Sequence, residues 1–473
     1  MLIGREQEQQ RLLEAFNSNE PQFIAVYGRR RVGKTYLVRE TLKNKFVFEH
    51  SGLAQSDRSS QFEAWKSALS ESGLKNAKIP ATWIEAFDML KMLIKSSRRR
   101  RKVIFIDELP WLDTPRSGFI AALEHFWNGW ASGRNDIMLV VCGSATSWII
   151  NNLINNYGGL HNRVTGKIHL KPFTLHECEL YLKGRHIAMR RYSILECYMI
   201  LGGIPYYWSF LKQGESLSQN IDRMCFNPDG ELYNEFHSLY ASLFRNPQPY
   251  ISIVTTLASK RVGLTREQIA KEAAIASNGM LTQVLQDLEY CGFIRKYTQP
   301  SMHVNNCIYQ LIDPYTIFYF QFIAHNIHHD KNYWSNTLES STHRAWCGMA
   351  FERVCMLHVE QIKAALGIAG VASVAYAWSA PATNDGRRGV QVDIIIDRND
   401  NVITLCECKF SKPEYSLTLE DDMSIANKVE RVAQVSAKHK SIHVTLITTF
   451  GIANNAYFNS IQRVITAEDL FKP

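Results

Sequence analysis

Two sets of residues have types and spacings that can do chemistry on phosphates. The first is Gly28-Arg29-Arg30-Arg31-Val32-Gly33-Lys34-Thr35, which fits the pattern G-x-x-x-x-G-K-S/T. Its glycines let the backbone pass close to a phosphate, and a helix starting there points free N–H groups at the same place. Lys34 is then placed for the β- and γ-phosphates of ATP and Thr35 for Mg²⁺, with Tyr36 continuing the nucleotide-binding turn. The second set is Asp393, Glu407 and Lys409. Two carboxylates can share a metal ion that acidifies a water, and a lysine beside them can stabilise charge near an attacked phosphate.

The elements that must hold the first set are legible on both sides of it. Gln22–Tyr27 is a short apolar run of the kind a buried parallel strand needs, and Leu37, Val38 and Leu42 carry helical spacing after Thr35. Earlier, Leu12, Leu13 and Phe16 line one face of a first helix. Lys45–Glu49 reads as a second strand and Val103–Ile106 as a third, from whose C-terminal end Asp107 and Glu108 emerge. Asp107 is placed to hold Mg²⁺ through its water shell, and Glu108 to polarise the attacking water. A fourth strand, Ile137–Cys142, ends beside Ser144, a small polar residue where a neighbouring strand can sense the γ-phosphate. Arg163 follows the next helix and is a candidate for charge stabilisation on the γ-phosphoryl, in cis or across a subunit boundary; a surface arginine in a loop is the plainer reading. Residues 1–170 thus alternate strand and helix, which predicts an α/β fold with a parallel sheet.

Ile3-Gly4-Arg5-Glu6, the Gly28–Thr35 loop, Ile106-Asp-Glu-Leu-Pro-Trp111, Gly143-Ser144, Asn162-Arg163 and Gly202-Gly-Ile-Pro205 together resemble the archaeal-type P-loop ATPase family, related to the AAA+ and STAND ATPases. The resemblance covers about the first 320 residues. It implies that Ile3 and Arg5 lie near adenine, and that Pro205 belongs to a helical lid behind the nucleotide. The helix-rich stretch from Thr174 to Leu243 matches such a lid.

Residues 247–315 read as a winged helix-turn-helix: an amphipathic helix over Pro249–Ala258, a Thr265/Gln268 capping box opening a second, and Ser277 capping a third. Ile294–Thr298 and Cys307–Ile312 form the wing strands. The third helix has no Lys or Arg from Ser277 to Tyr290, so phosphate contact rests on Arg295, Lys296 and His303, with Asn278, Thr282 and Gln283 left to read bases. A packing or protein-contact module is the alternative. Arg98–Lys102 is a basic run that suits either a solvated loop or a nucleic-acid patch. His325, His328 and His329 are expected on one helical face, with too few partners for a metal.

Towards the C-terminus a helix begins at Trp346 and strands follow near 372–378, 389–396 and 402–410. If Asp397–Asn401 is a five-residue hairpin loop, Ile396 opposes Val402 and Asp393 opposes Leu405. Asp393 and Glu407 are then diagonal neighbours on one face, with Cys406 and Cys408 on the other. The spacing D-x13-E-x-K resembles the PD-(D/E)-x-K nuclease fold, with Val392 where that family usually has Pro. The resemblance implies that Glu352, on the first helix of the domain, joins a site for Mg²⁺ or Mn²⁺.

The chain has 473 residues, 46% hydrophobic and 21% charged, which excludes a disordered protein and leaves room for about three cores. Its longest apolar run is too short for a bilayer and its first residues lack a signal core, so no membrane is expected. Ten cysteines without a C-x-x-C suit reduced thiols and a cytoplasmic location. A net charge of +8 permits nucleic acid, DNA before RNA, without requiring it. The reading is an ATPase core at 1–172, a lid at 173–245, a winged helix at 246–325, a linker at 326–340 and a nuclease-like α/β domain at 341–473. ATP would switch nucleic-acid engagement or cleavage. A STAND-like scaffold with a silent C-terminal contact domain is the alternative, and homo-oligomerisation is open.

Overall fold

The computed structural model describes residues 2–155, 158–298, 307–382, 388–436, 439–457 and 460–473. The chain divides into two compact units, Met1–Pro172 and Phe173–Pro473. Among the described residues no helix is long and apolar enough to cross a membrane.

The first unit is built on a parallel sheet of β1 (Gln22–Tyr27), β2 (Phe46–Ser51), β3 (Lys102–Asp107), β4 (Ile137–Gly143) and β5 (Gly166–His169), in the order β2-β3-β4-β1-β5. Both faces of β1, β3 and β4 are covered, which is why these strands read as unbroken apolar runs rather than as alternating ones. On one face Phe23, Ile104, Ile106, Leu139 and Val141 meet an aromatic layer that includes Trp65, Trp83, Phe87 and Phe126. The strands deliver their C-terminal ends, and with them Gly28, Asp107 and Ser144, to one edge of the sheet, where open α/β sheets bind ligands.

In the second unit the helices Leu175–Gly184 and Arg191–Leu201 lead into Gly202-Gly203-Ile204-Pro205. Gly203 is required by close packing: a Cβ there would come within 1.9 Å of the Phe173 carbonyl oxygen. Pro205 opens a short helix to Trp208, its missing N–H costing nothing at that position.

Three helices, Gln248–Ala258, Arg266–Glu272 and Gly279–Tyr290, pack with a small antiparallel sheet of β6 (Leu264–Thr265), β7 (Ile294–Tyr297) and β8 (Ile308–Leu311) in the order β6-β8-β7. The Thr265/Gln268 capping box is present. The third helix is capped by Asn278, whose side chain accepts from the N–H groups of Met280 and Leu281; Ser277 instead accepts from Arg266. His303 lies outside the described residues.

The stretch expected to be a polar linker is tied down. Tyr333–Thr337 is helical, and Trp334 is buried edge-on against Phe318, Phe322 and Trp346. The Asp222 carboxylate accepts from the N–H groups of Trp334 and Ser335. Just before it, the histidines expected on one helical face are not helical, because the preceding helix ends at Ile323: His325 and His328 lie in turns, and His329 has φ 53°.

The C-terminal sheet has β9 (Ser373–Ala380), β10 (Val390–Arg398), β11 (Val402–Lys409), β12 (Ser441–Thr448) and β13 (Arg463–Thr466) in the order β13-β12-β11-β10-β9. The hairpin β9-β10-β11 is antiparallel, and β12 and β13 add in parallel. The helix expected to begin at Trp346 starts earlier, at Ser341, and is broken at His358 into Ser341–Leu357 and Val359–Ala365. Tyr297 and Ile308 of the small sheet are buried with Tyr376, Trp378, Val390 and Leu405, so the three-helix module and the C-terminal sheet share one core.

Candidate functional site

At the edge of the first sheet, Gly28 has φ 143° and packs so tightly that a Cβ would lie 2.2 Å from the Leu170 carbonyl oxygen. Only glycine fits there. The loop then turns through Arg31 at φ 70° and Gly33 at φ 91°, and the helix Lys34–Thr41 begins. Val32 is buried and anchors the loop from beneath. Lys34 is buried as well, with Nζ donating to the carbonyls of Gly28 and Arg29 at 2.9 Å each, which holds its charge at the mouth of the loop. Arg29 is buried, while Arg30 and Arg31 are half-buried and Tyr36 is exposed.

Thr35 Oγ1 donates to Asp107 Oδ2 at 2.7 Å, so the hydroxyl and the carboxylate expected to serve one Mg²⁺ are in contact. Burial pushes the Asp107 carboxyl up, against the hydrogen bond from Thr35. Glu108 sits at φ 45°, a left-handed conformation that a glutamate adopts only when held. Ser144 holds it: Ser144 Oγ donates to Glu108 Oε2 at 2.9 Å, and the Ser144 N–H to the same oxygen at 3.2 Å. Gly143 is needed beside it, since a Cβ would lie 2.8 Å from the Pro110 ring.

The remaining nucleotide-site candidates are more scattered. Arg5 is buried at φ 66°, with Nη2 donating to the Lys171 carbonyl at 2.6 Å, and Ile3 is half-buried beside it in the chain. Arg163 is exposed in a turn. Pro205 belongs to the second unit. In the basic run Arg101 is spent internally on the carbonyls of Ala15 and Glu20, and Lys102 pairs with Asp136, leaving Arg98, Arg99 and Arg100 exposed.

The second site forms where the β10–β11 ladder opens. The register pairs Ile394 with Cys406 and Ile396 with Thr404, two residues along from the expected pairing of Ile396 with Val402. A slip of two keeps every side chain on its face. The β10–β11 pairing ends at Ile394, where β10 also bulges against β9 between Val392 and Ile395, and beyond it the Asp393 carboxylate takes over the N–H of Cys408, Oδ2 accepting at 2.9 Å.

Glu352 and Asp393 converge on one guanidinium, that of Arg261, in the loop before β6. Nε donates to Glu352 Oε2 at 2.9 Å, and Nη2 to Glu352 Oε1 and, at 3.2 Å, to Asp393 Oδ1. Glu407 pairs through Oε2 with Lys428 at 2.7 Å, while its buried Oε1 has no hydrogen-bond partner among the described residues. Burial and the nearby Asp393 charge push Glu352 up to about 7 and Glu407 up to about 8. Lys409 is turned to Asp421 at 2.8 Å. Among the described residues no three His, Cys, Asp or Glu side chains stand close enough to hold a metal ion in this arrangement. Arg261 and Lys428 were not singled out from the sequence. Arg261 lies 91 positions from Glu352, and no local pattern announces the pairing.

In the three-helix module Arg295 is drawn inward. Its Nε donates to Gln310 Oε1 at 2.7 Å, its guanidinium lies 4.9 Å from the Tyr297 ring, and burial pulls its pKa down to about 9. Gln283 is committed to Asp287. Arg266, missed in the sequence, supplies the cation at the start of the third helix, with Nη2 donating to the Asn278 carbonyl at 2.9 Å.

The family model described as an ATPase domain predominantly from Archaea matches residues 2–210. An uncharacterized protein of Methanocaldococcus jannaschii is 26% identical over 334 residues, 69% of this chain and 70% of that protein. Among solved structures, a Walker-type ATPase of Pyrococcus abyssi is similar at a TM-score of 0.46 and 18% identity, over 67% of this chain and 95% of that one. The ORC2 protein of Aeropyrum pernix is similar at 0.43 and 14% identity, over 72% and 96%. With the Gly28–Thr35 loop, Asp107 and Glu108 in place at one sheet edge, residues 2–210 carry a P-loop ATPase domain of this predominantly archaeal type.

Proposed function

We propose that the protein binds ATP with Mg²⁺, hydrolyses it, and uses the nucleotide state to control nucleic-acid engagement or metal-dependent cleavage by its C-terminal domain. The observation that carries the first part is the contact of Thr35 with Asp107 beneath a loop that only Gly28 can form. These residues fit the phosphates of a nucleotide: a backbone cradle, a helix N-terminus and the charge of Lys34. Mg²⁺, when bound, would neutralise charge on the phosphates, with Thr35 and Asp107 as its holders. Lys34 exchanges two carbonyl partners for phosphate oxygens. Glu108, fixed by Ser144, is the base that orients water. Arg163, exposed on its turn, is available in cis or to a second copy.

The second part rests on the meeting of Glu352 and Asp393 beside Glu407. Their oxygens suit a hard cation such as Mg²⁺ or Mn²⁺, and Glu407 Oε1 offers one an acceptor that no described residue engages. In this reading the three-helix module is a winged helix, with Arg266 and Lys296 as phosphate contacts, and the C-terminal sheet is a PD-(D/E)-x-K fold with Lys409 near the attacked phosphate. One observation favours the alternative of a STAND-like scaffold with a silent C-terminal domain: Lys409 and Glu407 are already engaged by Asp421 and Lys428.

Full-length protein incubated with supercoiled plasmid, Mg²⁺ or Mn²⁺, and with or without ATP separates the two. Metal-dependent nicking that Lys34→Ala deregulates and Asp393→Ala removes supports the switch. ATP turnover that Glu108→Gln stops, with no cleavage under any condition, leaves the scaffold.

A further inference from the structure

We propose that Arg261 is a built-in counter-cation that occupies the carboxylates of the C-terminal site and competes there with a divalent metal ion. This rests on reading Glu352, Asp393 and Glu407 as metal-binding. The guanidinium engages both oxygens of Glu352 and one of Asp393, the fork geometry that makes arginine–carboxylate pairs strong. It does not satisfy Glu407, whose Oε1 remains without a partner among the described residues although the side chain is almost wholly buried. Arg261 therefore covers Glu352 and Asp393, and Lys428 covers only Oε2 of Glu407, which leaves in the acidic site an acceptor that a divalent ion in place of the guanidinium could engage.

The placement of Arg261 is specified from behind. Its carbonyl oxygen accepts from Gln310 Nε2 and from Arg353 Nη2, and the next carbonyl, of Val262, accepts from Tyr297 Oη at 2.6 Å. Gly263 follows at φ 97°, where a Cβ would meet the Tyr309 carbonyl oxygen at 2.3 Å. Two strands of the small sheet, together with Arg353 next to Glu352, thus aim this loop.

The side chain itself is free to leave. It is 48% exposed, against 7% for Glu352 and 4% for Asp393, so it can swing into water while the carboxylates stay. Because Arg261 belongs to the three-helix module and the carboxylates to the C-terminal domain, whatever shifts that module's loop also uncovers the site.

The test is Mn²⁺ binding to the nucleotide-free full chain, followed by the electron paramagnetic resonance signal of the free ion. Arg261→Ala is expected to tighten binding roughly tenfold or more, the worth of about one charge-assisted hydrogen bond. Glu407→Gln added to it should abolish the gain, which separates this site from any ion held by Thr35 and Asp107. Arg261→Lys, which keeps a charge but loses the fork, should fall between and guards against an alanine variant that folds poorly. Equal Mn²⁺ affinity in wild type and both Arg261 variants, lost on Glu407→Gln, overturns the competition while leaving the metal site standing. No Mn²⁺ binding that depends on Glu407 in any variant overturns the metal reading and the competition with it.

Discussion

His358 offers a sharp test of how the second unit is held together. The N–H of Leu175, which can only donate, points at His358 Nε2 at 3.0 Å. Nε2 must therefore be the bare nitrogen, so the proton is on Nδ1, which donates to the Val354 carbonyl at 2.8 Å. The ring is almost fully buried, and burial pulls its pKa from 6.5 down to about 4. A folded pKa below the unfolded one means that the unfolded chain binds the extra proton first. The contribution is then fully present above pH 6.5 and is lost as the pH falls towards 4. Each tenfold change in proton affinity is worth about 1.4 kcal/mol, so the loss comes to about 3 kcal/mol. His358→Gln, with an amide oxygen near the place of Nε2, keeps an acceptor for Leu175 but cannot be protonated in that range. Hydrogen exchange of peptides from β10 and β11, corrected for the intrinsic rate, reads the stability of this unit alone. Wild type should lose about 3 kcal/mol more than the variant between pH 6.5 and 4. Equal losses in the two proteins would refute the buried neutral tautomer.

Ser144→Ala removes one of two hydrogen bonds to Glu108 and should lower kcat for ATP about tenfold with ATP affinity intact, a charge-assisted bond being worth about 1.5 kcal/mol; unchanged turnover would detach Ser144 from the base. Trp334→Ala empties an aromatic cluster of Phe318, Phe322 and Trp346 and should cost about 3–5 kcal/mol in thermal or denaturant unfolding, whereas a true linker would tolerate it. Arg295→Ala should lower stability and leave the salt dependence of any DNA binding unchanged, while Lys296→Ala should reduce the salt slope by about one. An Arg295→Ala effect on the slope would mean that this side chain turns outward in the complex.

The first unit was legible because its signals are local. A glycine loop between an apolar strand and a helix, and an acidic pair at the end of a strand, state both the element and the site within a few residues. What stayed hidden there was a contact between two strand ends: Ser144 was expected to meet phosphate, and it holds Glu108. The charge runs misled for a different reason. Arg101 looks solvated in a row of arginines, yet it is buried, because a long side chain beside a sheet can be drawn in by carbonyls that sequence does not display. Arg295 is drawn in the same way by Gln310. The linker failed on one residue, since Trp334 in a polar stretch has apolar area enough to anchor it.

In the C-terminal site the predicted pairing slipped by two residues, a shift that by itself leaves the alternation along β11 unchanged. A hairpin loop of either three or five residues gives the same parity, so alternation along β11 was a safer inference than any particular partner for Asp393. The end of the β10–β11 pairing at Ile394 was not legible, and it matters: beyond it the Cys408 N–H is taken by the Asp393 side chain. Spacing along two strands can bring carboxylates together, but it cannot say which cation they meet. That is decided by Arg261, on another module, held by Gln310 and Arg353. An intact Asp, Glu and Lys set is therefore a statement about capacity. Whether the site takes a metal depends on the difference between a guanidinium already in place and an ion that must displace it, and that difference is set by the packing of the three-helix module.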